Sequence, residues 1–218
     1  MNKYEIVQKI EEFAPLETQE KWDASGWIVD KTSTEITKIM FALTVTESVV
    51  TQARQQCCDM IISHHPLFYV PFEFQDIDMY CAHTNLDKAK GGTTDLILKE
   101  LGLKGEGDEF VRKVYLDKPM QVNKLKAMLQ KLSPKLRMVN NCNVSEVKTI
   151  GFCAGSGSEF IGDTDAFVTG DVKFHTALEA KSVIFDIGHF ESEIFAPKLL
   201  QEICGVGGII ADEKSPFI

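Results

Sequence analysis

The sequence predicts an α/β protein in which short buried strands alternate with amphipathic helices. Three observations predict it. Residues 38–44, 59–63 and 78–82 are short, largely apolar runs of the kind that form strands covered on both faces. Stretches with helical spacing of apolar residues lie before and between such runs. Glycine, proline and capping residues punctuate the joins. A β-α-β rhythm of this sort implies a sheet with helices packed on it.

Each element has its own justification. Residues 2–13 place Tyr4, Ile6, Val7, Ile10 and Phe13 near helical spacing. The strand at 38–44 is followed by Thr46, a helix N-cap, and a helix through about Gln55. The strand at 59–63 ends on His64-His65, with Pro66 as a stop. The strand at 78–82 leads into His83-Thr84-Asn85-Leu86-Asp87, and Gly91-Gly92 opens a helix over 93–101. Residues 102–110 hold three glycines among mixed charges and mark a candidate boundary. Beyond it come a strand, a helix over about 121–132, another strand, and a strand at 148–154. A glycine-rich turn follows at 154–158. Strands at 166–169 and 183–187 flank a helix that starts near Val172. A helix from Phe190 to about Ile203, interrupted near Pro197, precedes a last strand at 207–211.

At 218 residues the chain has room for one large domain or two small ones. Its 44% apolar and 25% charged residues are those of an ordinary globular protein. No apolar run nears the roughly 20 residues of a membrane span. The first residues lack the apolar core of a signal peptide, so a cytoplasmic protein without a membrane partner is expected. None of the six cysteines forms a CxxC pair, which argues against a zinc ribbon or a thioredoxin-type site. A net charge of −9 argues against broad nucleic-acid binding. That charge is uneven. Residues 111–148 carry nine basic and two acidic side chains, a balance of +7 against −16 for the remainder. Such asymmetry marks separately folded parts, or faces that meet in an oligomer.

All five histidines fall where a strand ends or a helix begins. Ligands collect at the carboxyl ends of strands in open α/β sheets, and imidazole with carboxylate suits zinc, manganese or iron. Successive strand residues face opposite ways, so His64 and His65 bind in one place only if the chain turns there, as Pro66 permits. An ordinary pair of loop histidines is the alternative. Asp87 is a hard oxygen donor able to bridge two cations, or a capping aspartate. His189 and Glu193 stand four apart, on one face of a helix, with Glu191 on roughly the opposite side. A solvated polar pair is the competing reading. His175, and after it His83, are candidates for proton transfer or for hydrogen bonding behind the ligands. No P-loop or GxGxxG motif is present.

Taken together, Ser63-His64-His65-Pro66, His83-Thr84-Asn85-Leu86-Asp87, Thr169 to His175 and Asp186 to Glu193 occur in an order that resembles the YbgI-like family. These are the NIF-three-like proteins known as GTP cyclohydrolase 1 type 2 homologues. Trp22-Asp23-Ala24-Ser25-Gly26-Trp27 is similar to that family's WDNxGL segment, departing from it at Ala24 and Ser25. The resemblance covers nearly the whole chain. It implies two α/β domains, each a mixed sheet flanked by helices, with a metal site at strand ends. The domains would comprise residues 1–105 with 187–218, and residues 106–186. It further implies His64, His65, Asp87, His189 and Glu193 as ligands of two divalent ions, whether zinc, manganese, iron or nickel. The implied protein is a homohexamer and a metal-dependent hydrolase acting on a small molecule. A non-catalytic metal-binding or partner-binding regulator is the alternative.

Overall fold

The computed structural model describes residues 1–107 and 109–217. The chain opens with α1 (Lys3–Phe13), β1 (Gly26–Val29), β2 (Ile39–Thr44) and α2 (Glu47–Gln55). There follow β3 (Met60–His65), β4 (Asp78–Cys81), α3 (Thr84–Lys88) and α4 (Thr93–Leu101). The middle holds β5 (Arg112–Gln121), α5 (Val122–Leu129), β6 (Arg137–Val139), β7 (Glu146–Phe152) and β8 (Ala166–Thr169). The last elements are α6 (Phe174–Glu179), β9 (Val183–Asp186), α7 (His189–Glu193), α8 (Ala196–Cys204) and β10 (Ile209–Ile210). They form two compact units: Met1–Gly92 with Phe195–Ile218, and Thr93–Ile194.

The first unit is built on a five-stranded sheet in the order β1-β4-β3-β2-β10. Strands β2, β3, β4 and β10 are parallel, and β1 closes the edge antiparallel to β4. Side chains alternate across the pleat. Met40, Ala42, Ile61 and Met79 join Val49, Val50 and Ala53 of α2 in one apolar cluster. Phe41, Leu43 and Ile62 point the other way and are also buried. Helix α8 packs against β2, β3 and α1. Thr46 caps α2, its hydroxyl accepting from Val49 N at 3.2 Å. The buried face of α1 differs from the expected one. Lys3, Ile6, Val7 and Ile10 are buried, whereas Tyr4 is exposed. Lys3 is accommodated because its ammonium lies 3.0 Å from Asp78 Oδ1, 2.8 Å from Asp30 Oδ1 and 2.6 Å from the Lys31 carbonyl.

The second unit holds a second mixed sheet in the order β5-β7-β8-β9-β6. Strands β7, β8 and β9 are parallel at its centre, and both edges, β5 and β6, are antiparallel. Its core joins Ile97 and Leu98 of α4, Val122, Leu125 and Leu129 of α5, and Ile150, Phe152, Val168 and Phe185 of the sheet. That packing moves the boundaries from those expected. Helix α4 commits its apolar face to this core, so the unit begins at Thr93 rather than at 106. Helix α7 packs with α4, so the chain leaves the unit after Ile194 rather than at 187. The expected interrupted helix is two helices, and Pro197 sits in the first turn of α8, where a missing N–H costs nothing.

Candidate functional site

In the first unit the carboxyl ends of β2, β3 and β4 gather three histidines. Strand β3 runs straight through His64 and His65, contrary to the expected turn. The rings are drawn together by separate tethers to the neighbouring strands. His64, fully buried, donates from Nδ1 to the Ala82 carbonyl at 2.8 Å, just past β4. His65 Nδ1 is bonded to Thr44 Oγ1 at 2.7 Å, at the end of β2. Their centroids are 5.0 Å apart. His83, the residue before α3, brings its ring to 5.3 Å from His64 and 5.7 Å from His65. One ring nitrogen from each of the three lies within 4.8 Å of one from each of the others. Helix α3 then delivers Asp87, buried, with Oδ1 3.4 Å from His64 Nε2.

His83 is held from behind by Asp23. The carboxylate accepts from His83 Nδ1 at 2.8 Å, Ala24 N at 2.7 Å, Thr84 N at 3.0 Å and Ser25 Oγ at 2.9 Å, and also from the Thr84 hydroxyl. Burial opposes its charge, but the bonds from His83 and Thr84 outweigh that and hold its pKa well below the usual carboxylate range. Asp23 belongs to the segment Trp22 to Trp27, whose role the sequence left open.

In the second unit α7 sets His189 and Glu193 on one face, with Nε2 3.0 Å from Glu193 Oε2. Glu193 is buried and Glu191 only partly so. The i,i+4 geometry expected from the sequence is therefore present. His189 Nδ1 donates to Asp171 Oδ2 at 2.6 Å. Asp186 organises this, accepting from Gly188 N at 3.1 Å and Val172 N at 3.2 Å and so tying the two loops together. Burial disfavours a charged His189, but the Glu193 and Asp171 carboxylates prevail and raise its pKa to about 9. The glycine-rich turn after β7 has a definite purpose. Gly155 takes φ +62°, and a Cβ there would overlap the Glu193 carboxylate. Its N–H donates to Ser192 Oγ at 2.9 Å, and Ser192 Oγ in turn donates to the His189 carbonyl at 2.7 Å.

A cation resolves the chemistry of both groups. Because a carbonyl only accepts, His64 carries a proton on Nδ1, and Nε2 is the ring nitrogen turned to the Asp87 carboxylate. His189 has a carboxylate at each ring nitrogen. Acceptor against acceptor is repulsive unless a proton or a metal lies between. Each of the four imidazoles has Nδ1 engaged by protein, the arrangement that fixes ligand orientation in metal sites. The residues fit divalent metal. His175 lies elsewhere in the pattern: it is exposed on α6, its ring 5.3 Å from that of Phe174. From its stretch it is Asp171 that touches His189.

The profile of the family described as Duf34/NIF3 (NGG1p interacting factor 3) matches residues 1–205. The chain belongs to the Duf34/NIF3 family. Among its relatives is the GTP cyclohydrolase 1 type 2 homolog of Campylobacter jejuni, 30% identical over 241 residues covering 98% of this chain and 97% of the relative. A protein of the same name from Clostridium perfringens is 32% identical over 225 residues, 87% of this chain and 86% of the relative. The crystal structure of a Bacillus cereus protein related to NIF3 superposes with a TM-score of 0.87 over 100% of this chain and 99% of that one, at 19% identity. That likeness establishes a Duf34/NIF3 fold of two mixed five-stranded sheets flanked by helices. Among the described residues of this Duf34/NIF3 chain, no helix is long and apolar enough to cross a membrane.

Proposed function

We propose that the chain is a metal-dependent hydrolase that holds two divalent ions through His64, His65, Asp87, His189 and Glu193. The observation that supports the reading is the tethering of Nδ1 on His64, His65 and His189, which leaves Nε2 of each ring as the atom for a metal. Five donors exceed what one tetrahedral ion needs, which supports two ions. A bound divalent pair supplies Lewis acidity and water acidified towards neutrality. The chain's own residues do the rest. Asp87 and Glu193 offset cationic charge, and Asp171 and the Ala82 carbonyl hold the ring orientations. His175, exposed on α6, is the candidate proton carrier. The names of the relatives direct the first substrate screen to GTP.

Elemental analysis of gently purified protein, repeated after zinc and manganese reconstitution, is expected to give up to two metals per chain. A maximum of one under all loading conditions would sink the two-ion reading. Turnover abolished by Asp87→Ala supports hydrolysis. The second reading, a non-catalytic metal-binding protein with a macromolecular partner, is favoured by the exposed Phe68, Tyr69 and Phe72 just after His65. Metal binding without turnover of any compound would support it. The family resemblance also supports a ring of six chains, and light scattering reporting a stable monomer at micromolar concentration would overturn that.

A further inference from the structure

We infer that the first unit holds one metal ion by itself through three imidazoles, with His83 as a ligand alongside His64 and His65, and with Asp23 positioning it. The inference rests on the reading that His64 and His65 are ligands. It extends that reading by a donor the five-residue set omits.

His83 is set apart from a chance neighbour by the construction behind it. Asp23, whose side chain is fully buried, spends its acceptors on one short segment: the imidazole of His83, the backbone and hydroxyl of Thr84, and its own neighbours Ala24 and Ser25. Ser25 Oγ also accepts from His83 N at 3.0 Å, so ring and backbone of the histidine are both fixed. A carboxylate at Nδ1 keeps a proton there and orients the ring with Nε2 as the ligating atom, as it does for histidines that bind zinc. Three neutral imidazoles from the ends of β3 and β4 make a set that suits zinc or another first-row divalent ion and leaves further positions open for water. A purely structural histidine has no need of two further imidazoles within 4.8 Å. Packed together as imidazolium ions the three would repel. As ligands they share one cation.

The test uses the full chain carrying His189→Ala and Glu193→Gln, which removes the second unit's donors. Zinc calorimetry on this double variant is expected to give one equivalent, and X-ray absorption to count three imidazoles on the zinc. Adding His83→Gln is expected to weaken binding at least about tenfold and to reduce the count to two. Asp23→Asn, with all three histidines present, is expected to weaken binding by about tenfold while the count stays at three. Trp22 gives an independent signal, since its ring lies 6.0 Å from that of His83. Cobalt is expected to quench its fluorescence, and His83→Gln to abolish the quenching. Thermal unfolding of metal-free samples checks that each variant folds, and the imidazole count needs no change at position 83. A count of two in the double variant, or an effect of His83→Gln below twofold, overturns the assignment. So does a double variant that binds no zinc while the unaltered chain binds two, an outcome that leaves the five-ligand reading standing. An unaltered chain that binds no metal refutes both.

Discussion

The two ends of one sheet in the first unit treat buried polar groups in opposite ways. At the amino end of β4, Lys3 and Asp78 are buried together, and the ammonium meets two carboxylates, a carbonyl and the faces of Tyr4 and Trp27 at 5.3 and 5.1 Å. Cation is matched to anion, and donors to acceptors. At the carboxyl end the rings of His64, His65 and His83 gather with ring nitrogens within 4.8 Å of one another, and the Asp87 carboxylate lies 3.4 Å from His64 Nε2. A buried group that is balanced within the fold contributes to the fold. The imidazole cluster at the other end is where the proposed metal reading places its donors. The same contrast explains why Lys3 sits in the core without implying a ligand, although a buried lysine by itself attracts a functional reading.

The sharpest way to break this comparison is to unbalance the amino end. Lys3→Met leaves Asp78 buried with the Lys31 N–H at 2.6 Å as its remaining tether. Removing one partner of a buried ion pair costs about 3–5 kcal/mol, and that surviving bond places the loss near about 3 kcal/mol. Urea unfolding is expected to show it, with the zinc stoichiometry of the folded protein unchanged. A loss below about 1 kcal/mol, or a loss of metal, would erase the distinction between the two ends.

At the donor groups the expected effect is on binding rather than on folding. Glu193→Gln is expected to weaken metal binding about 100-fold, about 2.7 kcal/mol, because it removes a bond and a compensating charge from beside His189. Glu191→Gln, on the partly exposed side of α7, is expected to change it by less than about twofold. Calorimetric titration of both variants decides between them. Gly155→Ala is a milder probe of the same carboxylate: the added methyl pushes on Glu193 and sits at φ +62°. It is expected to weaken binding about tenfold, about 1.4 kcal/mol, and an unchanged affinity would show that the glycine turn does not set the position of Glu193.

Much of this was legible in the sequence where a local period was enough. Helix α2 with its Thr46 cap and the His189–Glu193 pair on α7 follow from spacing that a few residues carry. The separate strands β3 and β4 were legible too. What escaped depends on contacts between distant segments. Asp23 reaches His83 across 60 positions and Asp171 reaches His189 across 18, and neither spacing has a period to betray it. Lys3 breaks the apolar pattern of α1 because its partner Asp78 lies 75 residues away. The boundary at Thr93 was hidden because the glycine-rich stretch 102–110 is the more conspicuous break, although α4 before it belongs to the second core. His64 and His65 were expected to need a turn, since alternation along a strand says nothing of tethers to Thr44 and Ala82 that bring the rings together.

The smallest expected effect sharpens the amino end. Asp59, just before β3, accepts through Oδ2 from Thr37 N and Thr37 Oγ1, each at 2.6 Å, and from Lys38 N at 3.2 Å. The Thr37 hydroxyl is the largest influence on its carboxyl, and together with the backbone N–H groups it outweighs burial and lowers the pKa. An unfolded aspartate titrates near ~3.9. The folded carboxyl therefore stays ionised to lower pH than the unfolded one, and the unfolded chain binds the proton first. The stabilisation is present above ~3.9 and is lost as the pH falls through the folded value. Asp59→Asn mimics the protonated acid, so the two proteins are expected to differ in urea midpoint at pH 6 and to converge as the pH approaches about 2.5. Because Asp59 is exposed, the gap should be small. A difference that persists unchanged into acid would mean that the amide fails to replace the carboxyl's bonds, and that the Asp59 charge contributes nothing at this end of the sheet.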